Sequence, residues 1–433
     1  MIDISIIAGG LGTRSMNPNI PKSLQIVRGQ PVIHSQLQEI NSIFKNTKVN
    51  VKIIGGYGFE ALNDYVLEIK SKFSNLHIEL LKDTELTGTM RPVYEQSLHS
   101  SYKYSLIILG DLFFKIDNSV FLRNLVQLLQ FSPDLIIYVH PNNHPKDSDL
   151  ININPLNQKV TNIFLKSDNL NINRGNLAMA GMYVVNNELL KKLSINEGDF
   201  VKEYCMRLLN SNKNIYGLVT TDFISDMGTA ERIEKIENKN STFRINSLIK
   251  NQKSALFLDL DDTLIKNQEV KKLFDQNMVN LELIEIIKFC NTSGIPVLII
   301  TNQPGLAKGF FTLTDFQYFL RCLESYLSEL DAYIDDLFVC PHHPDAGWPE
   351  EVTDLKIKCT CRKPEPGLLK QAIEKHNIDL SKSVYIGDSK VDSQASKAMG
   401  IKFIQYKKSK IKTMLSEVSD SLLDTVSNNY DHI

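Results

Sequence analysis

No apolar run in this chain of 433 residues approaches the roughly 20 residues that a membrane helix needs, so a membrane-spanning role is not expected. An excess of one charge is missing too. The formal net charge is -2, which gives no overall pull toward nucleic acid or an anionic surface, so partners have to be sought in sites. Cysteine is sparse, with six in 433 residues. That is no disulfide framework, and reduced thiols in a cytoplasmic protein are expected. The opening MIDISIIAGG lacks a basic region and its apolar run stops at glycines, so it reads as a buried strand rather than a signal peptide. What is present is ordinary for a globular protein, with 42% hydrophobic and 23% charged residues, and the length predicts two or three domains.

Strand-like runs alternate with helical patterns throughout: ISIIAGG, VKIIGGY, SLIILGD and DLIIYVH, then ALFLDLDD, IPVLIITNQ and SVYIGDS. This alternation predicts two α/β domains with mainly parallel sheets. The expected division is a first domain over residues 1–240, a polar Asn- and Lys-rich linker over 241–254, a second domain over 255–408, and a tail over 409–433 that reads as a short amphipathic helix.

The first strand runs straight into Gly9, Gly10 and Gly12, where missing side chains let backbone N–H groups approach a polyphosphate. Arg14 and Lys22 follow as a forked cation and a point cation. A glycine cluster after a strand is by itself more often a tight turn. The longer string AGGLGTRSMNPNIPKSL resembles the signature of nucleotidyltransferases that activate sugar 1-phosphates, and later segments match that family in order. The resemblance implies nucleotide contacts from Ala8, Gly9, Gly10, Gly12 and Thr13, and from Gly88 in KDTELTGT, with Arg14 and Lys22 in catalytic places. It implies a Mg2+ shared by Asp111 in LIILGDLFFKID and Asp226 in ISDMGTAERIEKIE, with Lys166 in VTNIFLKSD and Gly181 in AGMYVV on the sugar-phosphate side. The chemistry would be in-line attack of the sugar phosphate on the α-phosphorus of a nucleoside triphosphate, which asks the protein mainly for positioning and charge neutralisation. Taken alone, Asp111 reads more readily as a capped turn at a strand end. Where the family has small residues after Gly88 and Thr89, this chain has Met90, Arg91 and Pro92, which are expected to reshape the base or sugar pocket.

In the second half, ALFLDLDDTL places Asp259 and Asp261 two apart at the end of an apolar strand, so an extended backbone points both carboxylates the same way. Two like charges so close call for a cation. Thr301 after PVLII, Lys363 in CRKPEPG, and Asp388 with Asp392 in YIGDSKVD follow. In this order the pieces resemble the haloacid dehalogenase superfamily of phosphatases. The resemblance implies that Asp259 attacks phosphorus to form an aspartyl phosphate, and that Asp261 serves as general acid and then general base. It implies that Thr301 and Lys363 hold the phosphoryl oxygens. Mg2+ would sit on Asp259, the Asp261 carbonyl and Asp388, with Asp392 behind them. Asp262 stands where the relatives often have glycine, and a strand-end salt-bridge cluster is the non-catalytic alternative.

Cys340, His342, Cys359 and Cys361 offer three thiolates and an imidazole, a set that selects tetrahedral Zn2+ and leaves no position for water. A structural zinc is therefore expected, with His343 as the alternative imidazole and merely buried or redox cysteines as the alternative reading. The zinc loop resembles a superfamily branch without a large cap domain, the heptose bisphosphate and histidinol phosphatases. TNQPGLAKGFFT and GWPEE stand nearer the heptose branch. That resemblance implies substrate contacts from Asn302 and Arg362, whereas Lys308 is either a distal-phosphate contact or a solvated surface lysine.

The expected fold is thus α/β in two domains: a Rossmann-like, GT-A-like nucleotidyltransferase sheet, then a capless haloacid-dehalogenase-like Rossmannoid sheet with a zinc loop. Together the resemblances imply a bifunctional enzyme of nucleotide-activated heptose synthesis for lipopolysaccharide or capsule, dephosphorylating D-glycero-D-manno-heptose 1,7-bisphosphate at C7 and transferring a nucleotidyl group to heptose 1-phosphate. GTP is the favoured donor because such fusions resemble the GDP-heptose route. The expected partners are a nucleoside triphosphate and sugar phosphates, without nucleic acid or membrane. The alternatives are CTP or another donor acting on a different sugar or polyol phosphate, histidinol phosphate hydrolysis, and a binding protein with inactive sites.

Overall fold

The computed structural model describes residues 2–10, 20–85, 88–142, 148–168, 173–193, 197–238, 241, 244–246, 248, 253–266 and 271–427. In the first half, strand Asp3–Ala8 lies inside a nine-stranded sheet. The chain moves outward through Val49–Gly55 and Leu76–Lys82 on one side, then returns through Tyr104–Leu109 on the other. These four strands are parallel, and the reversal of direction leaves a crevice at their carboxyl ends, the usual ligand site in such sheets. Ile4 and Ile6 are buried in one apolar core, and Ile7 and Ile107 in a second. Coverage on both faces explains why these strands read as continuous apolar runs rather than alternating ones.

The sheet of the first half is mixed, which corrects the expectation of mainly parallel pairing there. Strand Leu177–Asn186 runs antiparallel to Tyr104–Leu109, to Leu135–Pro141 and to Leu150–Ile153. A strand buried on both faces has the same composition in either direction, so the sequence pattern carried no sign of this. A second antiparallel pair, Leu112–Lys115 with Phe223–Asp226, sets Asp226 opposite Leu112, and Met227 N donates to Asp111 O at 3.0 Å. Asp111 and Asp226 thereby arrive side by side.

The second half is a five-stranded, fully parallel sheet with Leu256–Leu258 at its centre. Val297–Asn302 and Asp336–Cys340 extend it to one side, Val384–Gly387 and Lys402–Gln405 to the other. Again the direction reverses beside the first strand, and Asp259, Thr301 and Asp388 all lie at the carboxyl ends. Helix Leu313–Glu329 starts in a capping box between Thr312 and Asp315, an arrangement that stabilises by about 1 kcal/mol, and buries Phe316, Phe319, Leu323 and Leu327 along one face. Helix Ile411–Ser427 packs Met414, Val418 and Leu422 into the same core.

The two halves are held by more than chain continuity. Ile245 and Leu248 share an apolar cluster with Phe113 and Phe223. Arg244 donates to Thr221 O at 2.6 Å, and Lys253 pairs with Asp222 at 3.1 Å with both side chains buried. Across the interface Asn124 donates to Lys375 O at 3.0 Å, Asn377 to Asp117 at 2.6 Å, and Gly175 N to Ser325 Oγ at 3.1 Å. Among the described residues no helix is long and apolar enough to cross a membrane.

Candidate active sites

In the first half a cleft opens where strand Asp3–Ala8 ends. One lobe, about 350 Å3, is lined by Ala8, Gly9, Gly10, Asp83, Gly88 and Pro92. A second lobe, about 260 Å3, is lined by Asp149, Lys166, Gly181, Asp226 and Arg232, and Lys22, Thr89 and Asp111 line both. The structure therefore brings together Ala8, Gly9, Gly10, Lys22, Gly88, Asp111, Lys166, Gly181 and Asp226. Gly12, Thr13 and Arg14 lie outside the described residues. Gly88 has φ +118° and faces the Gly198 carbonyl so closely that a Cβ would collide with it, which accounts for glycine there.

Both carboxylates expected to hold a cation carry one from the chain. Lys22 Nζ lies 2.8 Å from Asp111 Oδ2, and Arg232 Nη1 lies 2.6 and 2.7 Å from the two oxygens of Asp226. Burial alone would lift the Asp226 carboxyl, but Arg232, the Gly228 N–H and Lys22 outweigh it and hold it below the usual carboxylate range. Paired carboxylates with flexible basic partners form a donor set that suits Mg2+. The expected reshaping by Met90, Arg91 and Pro92 narrows to Pro92. Met90 is fully buried in the core, and Arg91 is paired with Glu85 and, at 2.8 Å, with Glu95.

In the second half Lys363 occupies the centre. Its ammonium lies 2.6 Å from Asp259 Oδ1 and 2.6 Å from Asp392 Oδ1, and donates to Ile300 O at 2.8 Å. Burial lifts the Asp259 carboxyl to about 7, with Lys363 opposing and Asp392 and Asp261 adding to the rise. Burial together with the neighbouring Asp392 and Asp262 raises Asp388 as well. Among the described residues Asp259, Asp388 and Asp392 each offer a carboxylate oxygen within 4.8 Å of the others. Three acids so close, two of them shifted upward, make a site that a divalent cation would relieve. Asp392 is fixed by the helix Lys390–Ala398, where it forms a capping box with Ser389, leaving its other oxygen for Lys363 and Tyr385. Asp262 has φ +56°, a left-handed backbone that suits the glycine expected from the resemblance and that aspartate tolerates. Thr301 accepts from Gln303 Nε2 at 3.0 Å, and Asn302 makes two hydrogen bonds to the Lys363 backbone, which deliver that lysine to the centre.

Cys340 ends its strand beside His342, Cys359 and Cys361. Sulfur–sulfur separations run from 3.2 to 3.6 Å, and His342 Nδ1 lies 3.2 Å from Cys361 Sγ and 3.7 Å from Cys340 Sγ. Tetrahedral zinc with bonds of about 2.3 Å to sulfur needs edges of about 3.8 Å, so this set fits after a small expansion. The Cys340 sulfur and partial burial push the Cys361 thiol up, the cost of crowding thiols that a cation would remove. His343 turns away, stacked edge-on against Trp348. Arg362 braces the loop by donating to His342 O at 3.3 Å. Lys308 and Lys356 stand 4.6 and 4.2 Å from the Trp348 ring centroid. Gly309, φ +74°, lets the loop carrying Lys308 close against the Glu350 carbonyl, where a side chain would collide.

Several residues escaped the sequence reading. Gln303 bonds Asp261 Oδ2 at 2.7 Å, Lys271 contacts its Oδ1, and Tyr385 lies 3.2 Å from Lys363 Nζ. Gln303 directly follows Thr301 and Asn302, a usable signal. Lys271 and Arg232 sit among other charged residues, where nothing local distinguishes them from solvated ones.

A family model described as nucleotidyl transferase matches residues 5–242, and one described as polynucleotide kinase 3 phosphatase matches residues 254–420. The chain is 33% identical over 151 residues to a D-glycero-alpha-D-manno-heptose-1,7-bisphosphate 7-phosphatase of Photorhabdus laumondii, covering 35% of this chain and 80% of that protein. It is 35% identical over 150 residues to the D-glycero-beta-D-manno-heptose-1,7-bisphosphate 7-phosphatase of Pasteurella multocida, covering 35% and 79%. The crystal structure of HddC from Yersinia pseudotuberculosis complexed with GMP-PN superposes with TM-score 0.45 at 20% identity, over 54% of this chain and 97% of that one.

Proposed function

Because the chain belongs to the nucleotidyl transferase family through its first half and to the heptose-1,7-bisphosphate 7-phosphatases through its second, we propose that it carries out two successive steps on one sugar. The second half removes the 7-phosphate of a D-glycero-D-manno-heptose 1,7-bisphosphate. The first half transfers a nucleotidyl group, with GTP favoured, to the remaining 1-phosphate. The observation that carries this reading is the pairing itself: the heptose phosphatases named above leave a sugar 1-phosphate, the group that a sugar nucleotidyltransferase consumes.

The site geometry supports assignable roles. Asp259 attacks phosphorus, and Lys363, already on its carboxylate, meets charge that builds on the phosphoryl oxygens. Asp261 protonates the leaving oxygen and then takes a proton from water. Thr301 and Asn302 orient the phosphoryl group, while Cys340, His342, Cys359 and Cys361 would hold Zn2+, which would fix the loop that presents Arg362 and Lys363. In the transferase cleft Lys22 neutralises the triphosphate, a role the sequence resemblance gives to Arg14 as well, the Ala8–Gly10 backbone receives the triphosphate, and Lys166 contacts the sugar phosphate. Asp259, Asp388 and the Asp261 carbonyl, and separately Asp111 and Asp226, would hold Mg2+, which supplies charge neutralisation.

The test is substrate turnover by the purified full chain. Pyrophosphate release is measured with four nucleoside triphosphates and heptose 1-phosphate. Phosphate release is measured from both anomers of the bisphosphate, from histidinol phosphate and from a 3'-phosphorylated oligonucleotide. No pyrophosphate with any donor, or faster phosphate release from either of the last two compounds, sinks the reading.

A further inference from the structure

Lys271 is buried, with its side chain 1% exposed, yet its ammonium is spent on a carboxylate that stays partly exposed. Nζ lies 2.5 Å from Asp261 Oδ1, with the Phe319 ring 5.4 Å from it. Asp261 itself is 21% exposed. Its other oxygen accepts from Gln303 Nε2 at 2.7 Å, and Gln303 also donates to Thr301 Oγ1 at 3.0 Å. A buried ammonium is costly unless a carboxylate matches it. Here the cation is buried and the acid remains reachable. Donors on both oxygens, from two separate segments, also prevent the carboxyl group from rotating. For a group that must give and take a proton along one line, that fixed orientation decides the rate.

Resting on the phosphatase reading above, we propose that Lys271 is a positioning residue for Asp261, holding it in line with the bridging oxygen of the substrate. In the first step an Asp259 oxygen bonds to phosphorus, the bond from phosphorus to the sugar oxygen breaks, and the Asp261 proton passes to that oxygen. In the second, a water oxygen bonds to phosphorus, its proton returns to Asp261, and the Asp259–phosphorus bond breaks to release phosphate. Lys271 remains an ammonium throughout and touches neither substrate nor metal.

This role predicts dependence on the leaving group. kcat/KM reports only steps up to aspartyl phosphate formation. An alkyl phosphate needs its leaving oxygen protonated in that step, whereas p-nitrophenyl phosphate does not. Lys271→Met should lower kcat/KM for heptose 1,7-bisphosphate by about ten- to a hundredfold and leave that for p-nitrophenyl phosphate within about threefold, with Lys271→Arg recovering most of the loss. Variants are compared only when zinc content and Trp348 emission match the wild type, and Lys271→Gln replaces the methionine variant if it does not fold. Equal losses on both esters, no loss on either, or a change in KM alone overturns the proposal. Asp261→Asn separates the two levels of failure. If the wild type hydrolyses neither ester, or Asp261→Asn affects both alike, the phosphatase reading fails; if Asp261→Asn splits the esters and Lys271→Met does not, only the role of Lys271 fails.

Discussion

Replacing Lys363 with methionine tests the electrostatic centre of the second half most directly. One ammonium lies 2.6 Å from each of two carboxylates, with side chains 3% exposed for Lys363, 9% for Asp259 and 0% for Asp392. Methionine fills the space and removes the charge, leaving two buried acids facing one another. Removing one partner of a buried pair costs about 3–5 kcal/mol, and sharing between two acids places this site toward the upper end. The loss should depend on pH. Asp259 already stands at about 7, above its value in an unfolded chain, so its contribution to stability is present at low pH and disappears as pH rises through 7. Without Lys363, which opposes that rise, the carboxyl moves higher and the decline continues beyond 7, by about 1.4 kcal/mol for each further unit. The deficit of the variant is therefore larger at pH 9 than at pH 6. Urea unfolding followed by the single tryptophan, Trp348, reports on this half of the chain. Phosphatase activity should be lost while nucleotidyl transfer survives. A deficit below about 1 kcal/mol at both pH values, smaller than a single buried ion pair warrants, would refute the electrostatic account.

Cys361→Ser should lower zinc per chain, alter Trp348 emission and abolish phosphate release together, as read by atomic absorption, fluorescence and phosphate assay; full activity without zinc would contradict the proposed loop-fixing role. Asp226→Asn should reduce pyrophosphate formation at least a hundredfold while phosphate release continues, because the two centres share no residue. Glu324, at the contact between the halves, is pushed up to about 7 by burial, with the Asn176 N–H and Arg321 opposing. Its stabilising contribution is present at low pH and fades as pH rises through 7, so Glu324→Gln should match the wild type in melting temperature near pH 4.5 and exceed it at pH 8. Identical slopes for the two proteins would count against that burial effect.

Asp111, Asp259, Thr301 and Asp388 were legible because each stands at or just past the carboxyl end of an apolar run, and such ends converge in parallel sheets, whereas Lys22 and Lys363 were read from the strings AGGLGTRSMNPNIPKSL and CRKPEPG. Asp259, Thr301 and Asp388 come from three strands yet meet for that reason. The cysteine–histidine set was legible from chemistry alone. Strand direction in the first sheet was not, since Leu177–Asn186 is apolar whichever way it runs. Nor was Lys271: it reaches Asp261 ten positions away through a segment whose polar composition resembles any solvated turn. Arg232 was hidden similarly, on a helix where a charged residue is the ordinary choice.

The hydrogen bonds from Asn124 to Lys375 O, from Asn377 to Asp117 and from Gly175 N to Ser325 Oγ join the two catalytic halves of one chain. A cell holding this chain then carries equal numbers of both active sites whatever the expression level. On the proposed two-step reading, throughput from bisphosphate to activated sugar would be governed by whichever half turns over more slowly, and selection for flux would act on the ratio of two rate constants, because the ratio of two protein abundances is fixed at unity.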